Sequence, residues 1–154
     1  MSTSSTIYRW SCSLGILACF AGSVFADDQE KLQGRWRIES VAVQEQTVAR
    51  EDRPESWKAT FDTDVTINGD RFTHAQAAKE AAVIKLDETR EPKQITLLSD
   101  DGKLKFRGIY RLLDDEITVC INGDGTDVRR PEEFVTKKGT PLVLLKLKKA
   151  TAAR

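Results

Sequence analysis

Short β-type runs separated by turn residues occupy the chain from Gly34 onward, and this pattern constrains the fold more than any other feature. No long segment has the periodicity of an amphipathic helix. Asn68-Gly69 has the residue types of a type I′ hairpin turn, and Asp101-Gly102 and Asp114-Asp115 mark further turns. Because hairpins join antiparallel neighbours, the pattern predicts an antiparallel meander. The predicted strands begin at Gly34 and then cover residues 57–63, 65–67, 71–73, 83–86, 94–98, 104–113, 116–121 and 142–148.

These runs favour an all-β fold in which eight up-and-down strands close into a barrel, because closure removes exposed sheet edges. In the first strand, Trp36 and Ile38 alternate with charged residues, as in a strand with one apolar face. The run at 104–113 is apolar on both faces, which fits a barrel wall that is partly covered outside or a β-sandwich. The alanine-rich residues 75–82 fit one short helix or the start of the strand at 83–86.

Residues 1–26 have the character of an export signal, so the mature chain is expected to begin at Asp27. Arg9 is their only charged residue, and the apolar core that follows it is too short to span a bilayer. Val24-Phe25-Ala26 fits a signal-peptidase site. A lipid-anchored envelope form is the less favoured alternative, because Ile16-Leu17-Ala18-Cys19 only partly resembles a lipobox. We therefore expect a periplasmic or secreted protein without a transmembrane segment.

Residues 27–154 are enough for one domain with its own core. Without Arg9 the chain carries 23 basic and 24 acidic residues, a balance that argues against nucleic acid as a partner. Residues 129–154 contain eight basic and two acidic residues, which we interpret as lysines that guard a strand edge. Cys120 is the one cysteine of this domain and has no intrachain partner for a disulfide.

A set of short motifs follows the chain in order: Leu32-Gln33-Gly34-Arg35-Trp36, then Lys85-Leu86-Asp87 with Pro92-Lys93 and Ile95, Gly108-Ile109-Tyr110 with Val119-Cys120, Arg130-Pro131-Glu132-Glu133-Phe134, and Leu144-Leu145-Lys146-Leu147-Lys148. In these motifs the chain resembles a family of small exported lipocalin-like proteins, common in planctomycete-type bacteria, whose function is uncharacterised. The resemblance covers nearly all of residues 27–154. It implies a lipocalin-like barrel and no particular ligand or reaction. The chain departs from the family pattern in its acidic loop at 122–127 and its alanine-rich stretch at 75–82.

The lipocalin resemblance also implies structural roles for three residues. In lipocalins a Gly-x-Trp opens the first strand, and the tryptophan closes one end of the barrel, often against a basic side chain of the last strand. By this analogy Gly34 opens the first strand, and Trp36 is the closing residue. Lys146 or Lys148 would contact its ring through a cation–π interaction.

Catalytic and metal-binding patterns are weak in this sequence. His74 is the only histidine and has no second histidine or cysteine nearby, so we interpret it as a strand-end residue and not as a heme ligand. Cys120 lies in an apolar run and is expected to be buried and inert. Residues 122–127 with Glu133 partly match a calcium loop, but Asp127 stands where that loop needs glycine. We expect no enzyme activity, no metal and no cofactor.

Two functions fit a barrel of this kind. The first is non-enzymatic binding of a small apolar ligand, with Phe106 and Tyr110 lining the interior. The second is an envelope or extracellular protein-interaction or structural module whose barrel is filled by its own side chains. In that case the basic last strand or the acidic loop at 122–127 would contact a protein partner.

Overall fold

The computed structural model describes residues 27–74, 81–124 and 129–150, and strands dominate them. Two short helices lie among these residues, α1 (Asp28–Lys31) and α2 (Glu55–Phe61). The strands in chain order are β1 (Gly34–Val43), β2 (Gln46–Ala49), β3 (Val65–Asn68), β4 (Arg71–His74), β5 (Ala82–Asp87), β6 (Gln94–Ser99), β7 (Leu104–Leu113), β8 (Glu116–Asn122) and β9 (Leu142–Lys149).

Eight of these strands close into an antiparallel barrel, which confirms the predicted fold class. Strands β3 to β9 pair in chain order, and β1 completes the ring by pairing with β3 on one side and β9 on the other. The additional strand β2 forms a hairpin with the second half of β1. Each strand of the ring therefore has two antiparallel neighbours, as closure requires.

The three hairpin turns predicted from the sequence lie at their predicted places or one residue away, but their types differ in part. Asn68 is a strand residue, and only Gly69 has a positive φ (60°), so the expected type I′ turn at Asn68-Gly69 is wrong. Between β1 and β2, Gln44 and Glu45 both have positive φ (49° and 69°) although neither is glycine or asparagine. The Glu45 N–H donates a 3.0 Å hydrogen bond to the Thr136 hydroxyl, which supports this turn.

Residues 57–63, predicted as a strand, lie mainly in helix α2. Trp57 and Phe61 are one helical turn apart, and their rings pack edge to face with centroids 5.9 Å apart. In a strand the same two residues would also share a face, because their spacing of four fits both periods. Pro54 favours the helix, since its φ of −57° at the N-cap suits a helix start.

The alanine-rich stretch at 75–82 contributes its last residue to a strand, because Ala82 begins β5. Residues 75–80 lie outside the described part of the chain. The two helices that are described, α1 and α2, are therefore at places where the sequence predicted none.

Arg53 fixes α2 to the barrel at the gap between β2 and β3. Its side chain is fully buried, and it donates to the Ile38 carbonyl at 2.7 Å and the Phe61 carbonyl at 2.6 Å. It also forms a 2.8 Å ion pair with Asp62, just after the helix. Arg50 donates to the Asp62 carbonyl at 2.6 Å. These bonds satisfy the Ile38 carbonyl, at an irregularity in the β1–β9 pairing, and two carbonyls at the end of α2.

The outer face of β7 and β8 is covered by the residues that follow β8. Ile109 and Cys120 are 1% and 0% exposed, yet they alternate with residues that face the interior. The Cys120 thiol contacts the Val135 carbonyl at 3.9 Å, and the Arg111 guanidinium lies 4.7 Å from the centre of the Phe134 ring. The apolar character of both faces at 104–113 therefore belongs to a covered barrel wall and not to a sandwich.

The two ends of the barrel differ in what lies across them. We call the end with residues 27–33 and the turns at 69–70, 88–93 and 114–115 the closed end. The opposite end, with α2, the turns at 44–45 and 100–103 and the start of β5, is the mouth.

Candidate functional site: an apolar cavity in the barrel

The barrel encloses a cavity of about 360 Å³ that extends from its interior to the mouth. Small-molecule sites commonly have about 300–1,000 Å³, so this cavity suits a small ligand. Of its described lining residues, Thr60, His74, Lys105 and Tyr110 carry polar groups. The remaining lining residues are apolar: Leu32, Ile38, Phe61, Val65, Ile67, Phe72, Ala82, Ile84, Ile95, Leu97, Phe106, Ile117, Val119, Ile121, Leu145 and Leu147.

These side chains reach the interior because side chains along a strand point alternately to its two faces. Along β8, Ile117, Val119 and Ile121 all line the cavity, because every second residue of a strand faces the same side. Phe106 and Tyr110, the two interior residues named from the sequence, both line it as well. Their contact with a ligand stays a prediction.

Trp36 lies at the closed end, and it is completely buried. Its indole N–H donates a 2.7 Å hydrogen bond to the Leu32 carbonyl, so the residues before β1 hold the ring. The Lys149 ammonium lies 5.4 Å from the ring centre, within cation–π range. The prediction that Lys146 or Lys148 contacts the ring is wrong, because both side chains are exposed on the outer face of β9. Lys149 has the opposite orientation and is the direct cross-strand neighbour of Trp36.

A buried polar network completes the closed end. The Tyr110 hydroxyl donates to the Asp28 carboxylate at 2.9 Å, and the Lys93 ammonium donates to the same oxygen at 2.6 Å. The Asp28 N–H donates in turn to Glu88 at 3.1 Å. Burial, and then the hydrogen bond to Asp28, raise the pKa of Tyr110 far above its ordinary value. The phenol therefore stays neutral and keeps its hydrogen bond to Asp28.

The mouth is formed by helix α2 and the end of β4. His74 Nε2 donates to the Thr60 carbonyl at 2.8 Å, and the Thr63 hydroxyl lies 3.2 Å from Nδ1. His74 thus ties the end of α2 to the barrel wall. Among the described residues, no three His, Cys, Asp or Glu side chains come together as a metal site would require.

Among the described lining residues, Lys105 is the one with an ammonium group. It is half-buried near the start of β7, beside Phe106. The sequence pattern did not point to this residue, since strict alternation from Phe106 would place its neighbour on the outer face. The signal that could have indicated it is a break in the pairing of β6 with β7, which a single sequence does not contain.

Cys120 is buried and has no disulfide partner among the described residues. Burial raises the pKa of its thiol to about 11, so the thiolate form is suppressed at neutral pH. Of the calcium-loop residues, Asn122 accepts a hydrogen bond from the Asp124 N–H at 3.0 Å, and Glu133 pairs with Lys137 at 3.8 Å. Residues 125–128 of this loop lie outside the described part of the chain.

Comparison of the chain with protein-family models, with curated proteins and with solved structures finds no match. In the described part of the chain, neither helix is long and apolar enough to cross a membrane.

Proposed function

We propose that this protein binds a small, largely apolar ligand inside its barrel and catalyses no reaction. The observation that supports this proposal is the cavity of about 360 Å³ with its mainly apolar lining. Burial of apolar surface contributes about 25 cal/mol per Å², so a ligand that buries roughly 200 Å² gains on the order of 5 kcal/mol before the costs of association. A cavity that is already formed keeps those costs low.

The alternative function, a protein-interaction or structural module, has less support. Its premise is a barrel filled by its own side chains, and a cavity of this size argues against that premise. Its remaining basis is the charge on the outer face of β9, where Lys146 and Lys148 are exposed. Exposed lysines are common on soluble surfaces and do not by themselves indicate a partner.

Export is part of the proposal, as the resemblance to exported lipocalin-like proteins implies. N-terminal sequencing of the protein purified from its own host is expected to begin at Asp27. A chain that retains residues 1–26, or one that begins with lipid-modified Cys19, would contradict an ordinary cleaved signal.

Ligand binding is tested by native mass spectrometry of protein from its own host, followed by titration of the purified chain with dodecanol. We expect a Val119→Phe variant to weaken dodecanol binding by about tenfold, because the larger ring occupies part of the cavity. Thr118→Val is the matched control, since this neighbour faces the outer side of the same strand.

Two results would overturn the proposal. One is the absence of any bound small molecule in host protein together with no dodecanol binding. The other is equal binding by the parent protein and the Val119→Phe variant, which would place the ligand elsewhere. Near-ultraviolet circular dichroism checks that each variant retains the packed barrel.

A further inference from the structure

A β-bulge interrupts the pairing of β6 and β7 beside the mouth. Leu97 pairs with Phe106 and Leu98 pairs with Leu104, so Lys105 has no partner on β6. The extra residue of a bulge breaks the alternation of inward and outward side chains. This explains why Lys105 and Phe106, although adjacent in sequence, both line the cavity.

Of the other polar side chains in the described lining, Tyr110 and His74 already form hydrogen bonds, and Thr60 carries an uncharged hydroxyl. The Tyr110 hydroxyl donates to Asp28 at the closed end. The His74 ring bonds to Thr60 and Thr63 and holds helix α2. Within residues 27–74, 81–124 and 129–150, the Lys105 ammonium forms no hydrogen bond and no ion pair.

Among the described residues, three aspartates near the mouth are paired with cations other than Lys105. In the turn that precedes Lys105, Asp100 pairs with Arg71, and Asp101 pairs with Lys103 at 2.8 Å. At the end of α2, Asp62 pairs with Arg53. Within the part of the chain that the structure describes, the half-buried Lys105 beside an apolar cavity therefore lacks the counter-charge that usually accompanies such a group.

We propose that the ligand is a single-chain amphiphile with an anionic head, a carboxylate in the simplest case, and that Lys105 binds this head. The proposal rests on the proposed function and specifies its ligand class. The tail occupies the apolar interior, and the head lies at the mouth beside the bulge. The reverse orientation is disfavoured, because the cations of the closed end are engaged: Lys93 by Asp28 and Lys149 by the Trp36 ring.

The test compares two probes that differ only in the head group, dodecanoate and dodecanol, by calorimetric titration of the full chain. Lys105→Met keeps an unbranched apolar stem and removes the charge. We expect this substitution to weaken dodecanoate binding by about tenfold or more, as for loss of a charge-assisted hydrogen bond, and to change dodecanol binding by less than about twofold.

Two further variants serve as controls. Lys85→Met removes an exposed charge from the outer face of β5, away from the acidic residues beside Lys105, and it is expected to change neither affinity. Lys105→Arg retains the charge and is expected to retain preference for dodecanoate. It also keeps the test decisive if Lys105→Met does not fold, because Lys105→Gln can then be compared with Lys105→Arg.

Each outcome separates the two proposals. If dodecanol binds, and Lys105→Met leaves the dodecanoate affinity unchanged or weakens both probes equally, the anionic-head proposal is overturned and apolar binding stands. If the parent protein binds neither probe, the proposed function fails, and the anionic-head proposal fails with it. Selective loss of dodecanoate binding supports both.

Discussion

The closed end and the mouth of this barrel are built on opposite principles. At the closed end, Asp28 is 4% exposed and accepts hydrogen bonds from a tyrosine and a lysine that follow it by 82 and 65 residues. At the mouth, a seven-residue helix and a bulge surround a lysine without a protein partner in the described chain. Buried and fully bonded groups tie distant segments together, whereas exposed short elements open at low free-energy cost. We infer that the closed end supplies stability and the mouth supplies access.

The largest expected difference between the two ends is in the free energy of unfolding lost when a tryptophan is removed from each. We expect Trp36→Ala to lower the free energy of unfolding by about 3–5 kcal/mol, because the ring is fully buried and holds the Leu32 carbonyl. Trp57→Ala, on the half-exposed face of α2, is expected to cost only about 1 kcal/mol. Urea unfolding measures both values, and equal losses would contradict the division between the ends.

Much of the fold follows from the sequence because two signals coincide in its second half. For β6 to β9, apolar runs are bounded by turn residues, and the predicted bounds lie within one residue of the observed strands. Strand β2 gave no such signal, because Gln46–Ala49 has four residues and its turn lacks glycine. Helix α2 was missed because the spacing of Trp57 and Phe61 fits both periods.

The site depends on register and on distant contacts, which one sequence does not contain. Lys146, Lys148 and Lys149 are the same residue type on one strand, and only the β1–β9 register selects Lys149 as the neighbour of Trp36. The same limit applies to the bond between Tyr110 and Asp28 and to the bulge at Lys105. The cavity itself is the space left by side chains of eight strands, so no single segment encodes its volume.

The attachment of the mouth helix gives the next largest expected effect. Arg53→Met removes the donors to the Ile38 and Phe61 carbonyls and leaves Asp62 without its cation. We expect a loss of about 2–3 kcal/mol in the free energy of unfolding, because partners of a buried charge are left unbonded. Hydrogen exchange should also accelerate in α2 more than in β8.

Arg37→Met is the control for this substitution, because its side chain is half-exposed and its ion pair with Asp64 is 3.5 Å long. Surface pairs contribute about 0–1 kcal/mol, so its effect should be small. If both arginine variants accelerate exchange in α2 to the same extent, Arg53 does not hold the helix in the way described.

A smaller effect is expected from the lysine that contacts the closing tryptophan. Lys149→Gln removes the cation 5.4 Å from the Trp36 ring and should lower the free energy of unfolding by about 0.5–1 kcal/mol. Lys148→Gln changes an exposed neighbour on the other face of β9 and should have an effect near zero. Thermal or urea unfolding measures the loss of stability in both variants. A larger loss for Lys148→Gln would favour Lys148, one of the two partners that the sequence predicts for Trp36.

The smallest expected effect is a pH dependence at the closed end. Burial, together with a hydrogen bond to Asp27, raises the pKa of Glu88 above its ordinary value of 4.5. The folded state therefore holds the Glu88 proton more tightly than the unfolded state, and the stability this contributes is lost as pH rises through the raised pKa. Glu88→Gln carries no such proton, so its stability relative to the parent protein should increase across that range, by on the order of a few tenths of a kcal/mol after solvent screening.

The neighbouring carboxyl provides a control of opposite sign. A hydrogen bond from the Thr89 hydroxyl lowers the pKa of Asp87 below its ordinary value of 3.8, so its contribution is present at higher pH and is lost as pH falls. Asp87→Asn should therefore lose stability relative to the parent protein as pH rises through this range, whereas Glu88→Gln should gain it. Urea unfolding at a series of pH values measures both slopes. Slopes of the same sign would mean that burial in the closed-end network does not govern Glu88, and the contrast between the two ends would then rest on Trp36 and on the bonds of Asp28.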